Sequence, residues 1–140
     1  MARPNRPEAS LIGVQYRGND DGGRRDSWIV RDAEAAGGLF AGTGLHDGSS
    51  FGGGGIEIDK TGPDLPEGVQ VVAEIPNIFG PGFTAQMTYY ETPVGAKVSA
   101  AGAFRFASAV QADPMVHKMM GNIWRQLAAM VLAEEPGTSD

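Results

Sequence analysis

Cysteine is absent from this 140-residue chain, which excludes a disulfide framework, a thiolate metal site and a cysteine nucleophile, and leaves no sign of an oxidising compartment. Dense basic clusters are absent as well. Lys and Arg number 11 against 17 Asp and Glu, a formal net charge of -6, and nowhere do the cations gather closely enough to release many counterions from a phosphate backbone or to hold anionic lipid. Nucleic acid and membrane are therefore not expected as partners. No apolar run approaches the roughly eighteen residues of a spanning helix. The opening MARPNRPEAS has basic residues with no apolar region behind them, so it does not read as a secretory leader, and the expected location is the cytoplasm.

Glycine is what the chain has in excess. Gly 21 and Pro 9 occupy about a fifth of the positions, which shifts many residues into turns and irregular loops, where sites often lie. The length suits one domain with one core. Apolar residues at 41% and charged residues at 20% are ordinary for a folded protein.

Residues 1–10 contain two prolines and little to bury, and read as a flexible lead-in. LIGVQY, 11–16, has strand character. Trp28, Ile29 and Val30 suit a strand end, Asp32 to Ala36 is too short for more than one helical turn, and Gly42, Gly44 and Gly48 forbid a regular element around Thr43 and His46. IEIDK, 56–60, alternates two isoleucines with two carboxylates, which predicts Ile56 and Ile58 toward the core and Glu57 and Asp59 on the other face. VQVVAEI, 69–75, reads as a strand. AQMTYYET, 85–92, and AKVSAAGAF, 96–104, joined by Pro93-Val94-Gly95, read as an antiparallel hairpin in which one of Tyr89 and Tyr90 is core. The small residues of its second strand imply close packing over it.

The C-terminal helix is the clearest element. Asp113 suits the N-cap and Pro114 the first helical position, while Val116, Met119, Met120, Ile123, Trp124, Leu127, Met130 and Val131 recur at helical spacing and read as core. Pro136-Gly137 ends it, and 136–140 reads as a disordered tail. The fold class expected is α/β: a mixed sheet of about five strands with this helix against one face.

Neither GGLFAGTG nor FGGGGIEID fits a phosphate-binding loop, since no strand, glycine loop, lysine and helix follow in order. Gly52 to Gly55 instead suit a sharp turn or a close approach to a ligand or another chain. Glu57 and Asp59 suit a general acid/base pair, oxygen ligands for a hard cation, or a polar strand face in water. His46 sits in a glycine-rich loop, and His117 near a helix start reads as exposed. Ser49, Ser50, Ser99 and Ser108 lack a nucleophile-elbow context, and no Ser/His/Asp triad can be built.

FAGTGL (40–45), GIEIDK (55–60) and MTYYETPVGAKVSAAGAF (87–104), followed by an amphipathic helix, resemble in content and order the end of the large, or beta, subunit of N,N-dimethylformamidase, over about residues 11 to 133. The resemblance implies a fold like the last part of a class I glutamine-amidotransferase-like domain at 11–135. It also implies membership of a much longer chain, with a β-sandwich upstream, that hydrolyses the C–N bond of a small amide to formate and dimethylamine. That enzyme uses a mononuclear iron held by two tyrosines and a carboxylate. Those ligands are expected upstream, so no cofactor is expected in this chain and none is placed on Tyr16, Tyr89 or Tyr90. Carried over onto GIEIDK, the resemblance makes Glu57 the catalytic acid/base candidate; Asp59 on the same strand face and His46 in the glycine-rich loop are the substrate-binding candidates. Arg105 departs from the apolar or aromatic residue usual after the AAGAF strand.

A start at Met1, just before LIGVQY, is expected of a natural short protein, a gene fragment or a cut piece. The isolated chain is then expected to be inactive, with its site completed by an upstream domain, a second subunit or self-association. The alternative is a non-catalytic interaction or structural module derived from the same domain.

Overall fold

The computed structural model describes residues 7–21 and 23–132, with side chains described as far as Gln126. Of the expected lead-in at 1–10, residues 1–6 lie outside these residues, whereas Ala9 and Ser10 open a short helix and Ala9 is fully buried. The tail at 136–140 lies outside as well, as do the side chains of Leu127, Met130 and Val131.

The first correction falls on LIGVQY. Its leading residues close a short helix, α1 (Ala9–Ile12), and the strand β1 begins only at Gln15 and runs to Asn19. Gly13 explains the difference: at φ 87° it takes the left-handed conformation that stops a helix, and its N–H bonds back to the Ala9 carbonyl. The apolar character of Leu11 and Ile12 thus belongs to a helical turn lying over the sheet.

The remaining strands are β2 (Arg25–Val30), β3 (Ser50–Lys60), β4 (Gln70–Ile75), β5 (Ala85–Glu91), β6 (Lys97–Ala101) and β7 (Ala103–Phe104), followed by helices α2 (Phe106–Ala112) and α3 (Pro114–Leu132). Every strand pairing among the described residues is antiparallel. The mixed sheet of about five strands is therefore corrected to a seven-stranded antiparallel one. Antiparallel neighbours can be joined by tight hairpins such as the β5–β6 turn, whereas parallel pairs need crossovers of about a dozen or more residues. The expected hairpin is present, closed by Thr92 N–H to the Ala96 carbonyl at 2.8 Å.

β3 organises the sheet. Gln15 to Asn19 pair with Lys60 to Glu57, and Arg25 to Ile29 pair with Gly55 to Ser50, so β1 and β2 lie end to end along one edge of β3. Its other edge takes β7, at Gly55 opposite Phe104 and Ile58 opposite Ala103. From β2 the ladder runs through β4 and β5 to β6. Gly102 alone separates β6 from β7, and the path returns to β3 and closes. Gly102 N–H donates to the Gln86 carbonyl at 3.0 Å, and Asp59 N–H donates to the Gly102 carbonyl at 2.8 Å. A closed ladder has no bare edges there to recruit other chains.

Alternation in IEIDK holds only in part. Ile58 is fully buried. Ile56 is only half-buried and adopts φ 72°, a strained conformation for a β-branched residue. It sits at a bulge where the β3–β7 register shifts and accepts a hydrogen bond from Asp20 N–H at 2.9 Å. The glycines lie within β3 rather than before it. At Gly55 a Cβ would stand 2.3 Å from the Arg24 carbonyl oxygen, and at Gly54 it would stand 2.8 Å from the Ala103 Cβ. The close approach expected of this run is made by segments of the chain itself.

The core gathers Trp28, Val30, Phe51, Ile58, Val72, Ile75 and Met87 with Val116 and Met119 of α3, each buried side chain of this size contributing roughly 1.5–3 kcal/mol. Asp113 caps α3 as expected, its Oδ1 accepting the Met115 N–H at 2.8 Å. Met119 is core, whereas Met120 is exposed and Trp124 is 75% exposed, against expectation. At about 100° per residue, Trp124 lies well round the helix from the Val116–Met119–Ile123 stripe. One of the two hairpin tyrosines is core, as expected, although both are buried. Tyr89 faces the core, and on the opposite face the Tyr90 hydroxyl donates to the Leu11 carbonyl of α1.

Candidate functional site

The acidic pair Glu57 and Asp59 lies on the half of β3 that carries β1, with Glu57 opposite Asn19 and Asp59 opposite Tyr16. Both side chains are half-buried. Burial pushes the Asp59 carboxyl above its ordinary value, and the nearby charges of Glu57 and then Glu8 push the same way. Residues two apart on one strand face share a side, and Glu8, just before α1, supplies the third carboxylate of a negative patch.

The sign of that shift makes a prediction. A carboxyl with a raised folded-state pKa stabilises the fold below its unfolded value of 3.8 and loses that contribution as pH rises through the folded value. Asp59→Asn is therefore expected to melt at a higher temperature than the wild type at pH 7, with the gap closing below pH 3.8. Thermal denaturation followed by circular dichroism across pH 3 to 8 checks it; a variant no more stable at neutral pH contradicts the like-charge crowding.

His46 is placed elsewhere. It is exposed in the turn before β3, its N–H donating to Ser49 Oγ at 3.0 Å and its Nδ1 lying 3.0 Å from the Asp47 carbonyl oxygen. Some seven strand residues separate the start of β3 from Glu57, roughly 20 Å at about 3.3 Å per residue. His46 and the acidic pair occupy different ends of the strand. His117 is exposed, as expected.

At the Lys60 end of β3 a concavity of about 260 Å³ is lined by Gln15, Tyr16, Arg17, Lys60 and Thr61, and neither Glu57 nor Asp59 is part of its lining. Thr61 opens a polar chain across the sheet. Its N–H and Oγ1 donate to Gln86 Oε1 at 2.9 and 2.8 Å, Gln86 Nε2 donates to Glu74 Oε1 at 2.9 Å, and Arg31 Nε meets Glu74 Oε2 at 3.1 Å. A second, apolar groove of about 230 Å³ runs between the β5–β6 hairpin and α3, over Leu39, Tyr89, Val98, Ile123 and Gln126. Sequence reasoning missed both, because each is assembled from side chains far apart in the chain; only the small residues of β6 hinted at the second.

Among the described residues no group of three His, Cys, Asp or Glu side chains is placed to hold a metal ion. The tyrosines do not supply one either. Tyr16 donates to Asn19 Oδ1 at 2.6 Å, Tyr90 to a backbone carbonyl, and Tyr89 to Glu91 Oε1 at 2.7 Å. Burial, together with the hydrogen bond and charge of Glu91, pushes the Tyr89 phenol up to about 12, away from the phenolate that binds iron. These residues do not fit a two-tyrosine iron site.

Residues 1–120 match the family model described as N,N-dimethylformamidase beta subunit-like, C-terminal. The chain belongs to this family. The match covers β3 with its acidic pair, the whole closed ladder, the hairpin, α2 and the start of α3. No curated protein matches the chain. Membership of a C-terminal family within a subunit-based enzyme is consistent with further domains or subunits, and among the described residues no helix is long and apolar enough to cross a membrane.

Proposed function

We propose that this domain is a component of an amide hydrolase resembling N,N-dimethylformamidase, acting on the C–N bond of a small linear amide in the cytoplasm, in a site that other sequence or another chain completes. The observation that carries the reading is the family match over residues 1–120, joined to a half-buried carboxylate pair on the segment that carries the motif. Glu57 acts as the acid/base group, and Asp59, whose carboxyl is pushed above its ordinary value by burial and by the charges of Glu57 and Glu8, orients the substrate. His46 would reach the substrate only if the completing chain brought it to the far end of β3. Any iron is held by upstream residues, and no step here runs through it. The antiparallel ladder lends no support to a glutamine-amidotransferase-like fold for this part of the enzyme.

A second reading, a non-catalytic packing module, is favoured by one observation: Trp124 and Met120 stand exposed on α3, apolar surface suited to an upstream domain or second subunit. One experiment separates the two. The chain is co-expressed with a family large subunit cut back before its final segment, and hydrolysis of N,N-dimethylformamide is measured. Restored turnover is expected, with Glu57→Gln lowering kcat by about a hundredfold or more, the scale of a lost acid/base group. Full turnover by the variant would leave packing as the domain's role.

A further inference from the structure

The glycines of β3 border a concavity that the acidic pair does not reach. It measures about 170 Å³ and is lined by Arg25, Gly53, Gly54, Arg105, Ser108 and Ala109. Its other lining residues are glycine, serine and alanine, so among the described residues the two arginines are the long side chains facing it. Neither guanidinium has a hydrogen-bond or ion-pair partner among the described residues, where Arg31–Glu74 is the salt bridge present. In a chain of net charge -6, two cations line one hollow whose lining includes no carboxylate.

Arg105 is also held in an unusual backbone state. It adopts φ 70° and ψ 1° at the junction of β7 and α2, a left-handed conformation that is strained for a non-glycine residue. Its carbonyl accepts the Ser108 hydroxyl at 2.8 Å, and the Ala109 N–H at 3.3 Å, which locks the turn. Such strain persists where surrounding contacts over-determine it, and it aims this side chain at the hollow. On the facing side, Arg25 is fixed by its pairing opposite Gly55. Guanidinium forks match the paired oxygens of carboxylates and phosphates, and the backbone of Gly53 and Gly54 lines the hollow between them.

We propose that this concavity binds a small oxyanion, a short carboxylate or inorganic phosphate, between Arg25 and Arg105 against the Gly53–Gly54 backbone. The site stands apart from Glu57 and does not depend on the hydrolase reading. It is tested on the full chain by titrating sodium acetate, sodium phosphate and sodium chloride at matched ionic strength, following the backbone amide resonances. Saturable shifts of the Gly53 and Gly54 amides are expected with acetate or phosphate and not with chloride, and the more strongly bound of the two identifies the anion class. Arg25→Gln removes an exposed guanidinium, and Arg105→Gly removes the other while keeping a residue at ease with positive φ. Each is expected to weaken binding at least tenfold, with the remaining resonances unmoved. Shifts that merely follow ionic strength, no shifts with either oxyanion, or variants that titrate like the wild type would overturn the proposal.

Discussion

Replacing Gly102 with alanine is expected to destabilise the domain by more than about 3 kcal/mol, at the upper end of single substitutions. The added Cβ would stand 2.4 Å from the Gln86 carbonyl oxygen and 2.7 Å from that of Asp59. Both are backbone atoms, and both neighbouring strands are tied to this residue. Gln86 O accepts the Gly102 N–H, and Gly102 O accepts the Asp59 N–H. Relieving either clash by moving a strand breaks the hydrogen bond that joins it to the ladder, so no cheap relaxation exists. The control is Gly44→Ala, where a Cβ meets nothing within 4 Å and only the φ of +76° resists it, a loss of about 1–2 kcal/mol. Urea denaturation of the two variants beside the wild type measures the contrast. Equal, small losses would mean that the junction is not a tight closure.

The second large effect belongs to Asp113. Its two carboxylate oxygens serve two elements: Oδ1 accepts the Met115 N–H and caps α3, while Oδ2 accepts the Gly52 N–H of β3 at 2.7 Å. The cap contributes about 1 kcal/mol, and the hydrogen bond from strand to charged acceptor about 1.5–3 kcal/mol. Asp113→Ala is thus expected to lower stability by roughly 2–4 kcal/mol, which for a domain of this size lowers Tm by about 6–12 °C. Gly52 contributes in its own right. A Cβ there would stand 2.8 Å from Val116 Cγ2, so helix and strand approach too closely for a side chain. Asp113→Asn keeps the cap oxygen but presents an amide to one of the two N–H groups, and is expected to recover part of the loss. A variant as stable as the wild type on differential scanning calorimetry would show that α3 docks without this link.

These two residues also show what the sequence could and could not disclose. Asp113 before Pro114 and an apolar stripe is a local helix-start signal, and it was legible. Its second bond, to a glycine 61 positions earlier, was not. Gly102 read as one more small residue in a strand of small residues, because its constraint comes from Gln86 and Asp59. Pairing partners of that kind leave no local trace, so the direction of the sheet and its closure were not legible either. The IEIDK alternation placed Ile58 correctly but missed Ile56, since the bulge arises where β3 must meet β1, β2 and β7 in turn. Leu11 and Ile12 show the same limit from the other side. Their apolar character was read as strand, and a single left-handed glycine made it helix.

The candidate site follows this division. Glu57 and Asp59 were legible as two carboxylates on one face, because period-two alternation is a local property. The electrostatic coupling of Asp59 to Glu8 depends on α1 lying against β5 and β6 and could not be read from the sequence. His46 was grouped with them by its glycine-rich surroundings, and strand length separates it. The arginine-lined hollow lay outside any local pattern, since it needs the left-handed turn at Arg105 to face the far strand.

The account rests on the closure of the ladder through Gly102, which fixes the acidic strand β3 from both edges. Amide hydrogen exchange at Asp59 and Gly102 tests this most directly. The account predicts that both amides exchange only through global unfolding, as slowly as the central amides of β5. Exchange of either at the rate of the 41–49 loop would contradict it.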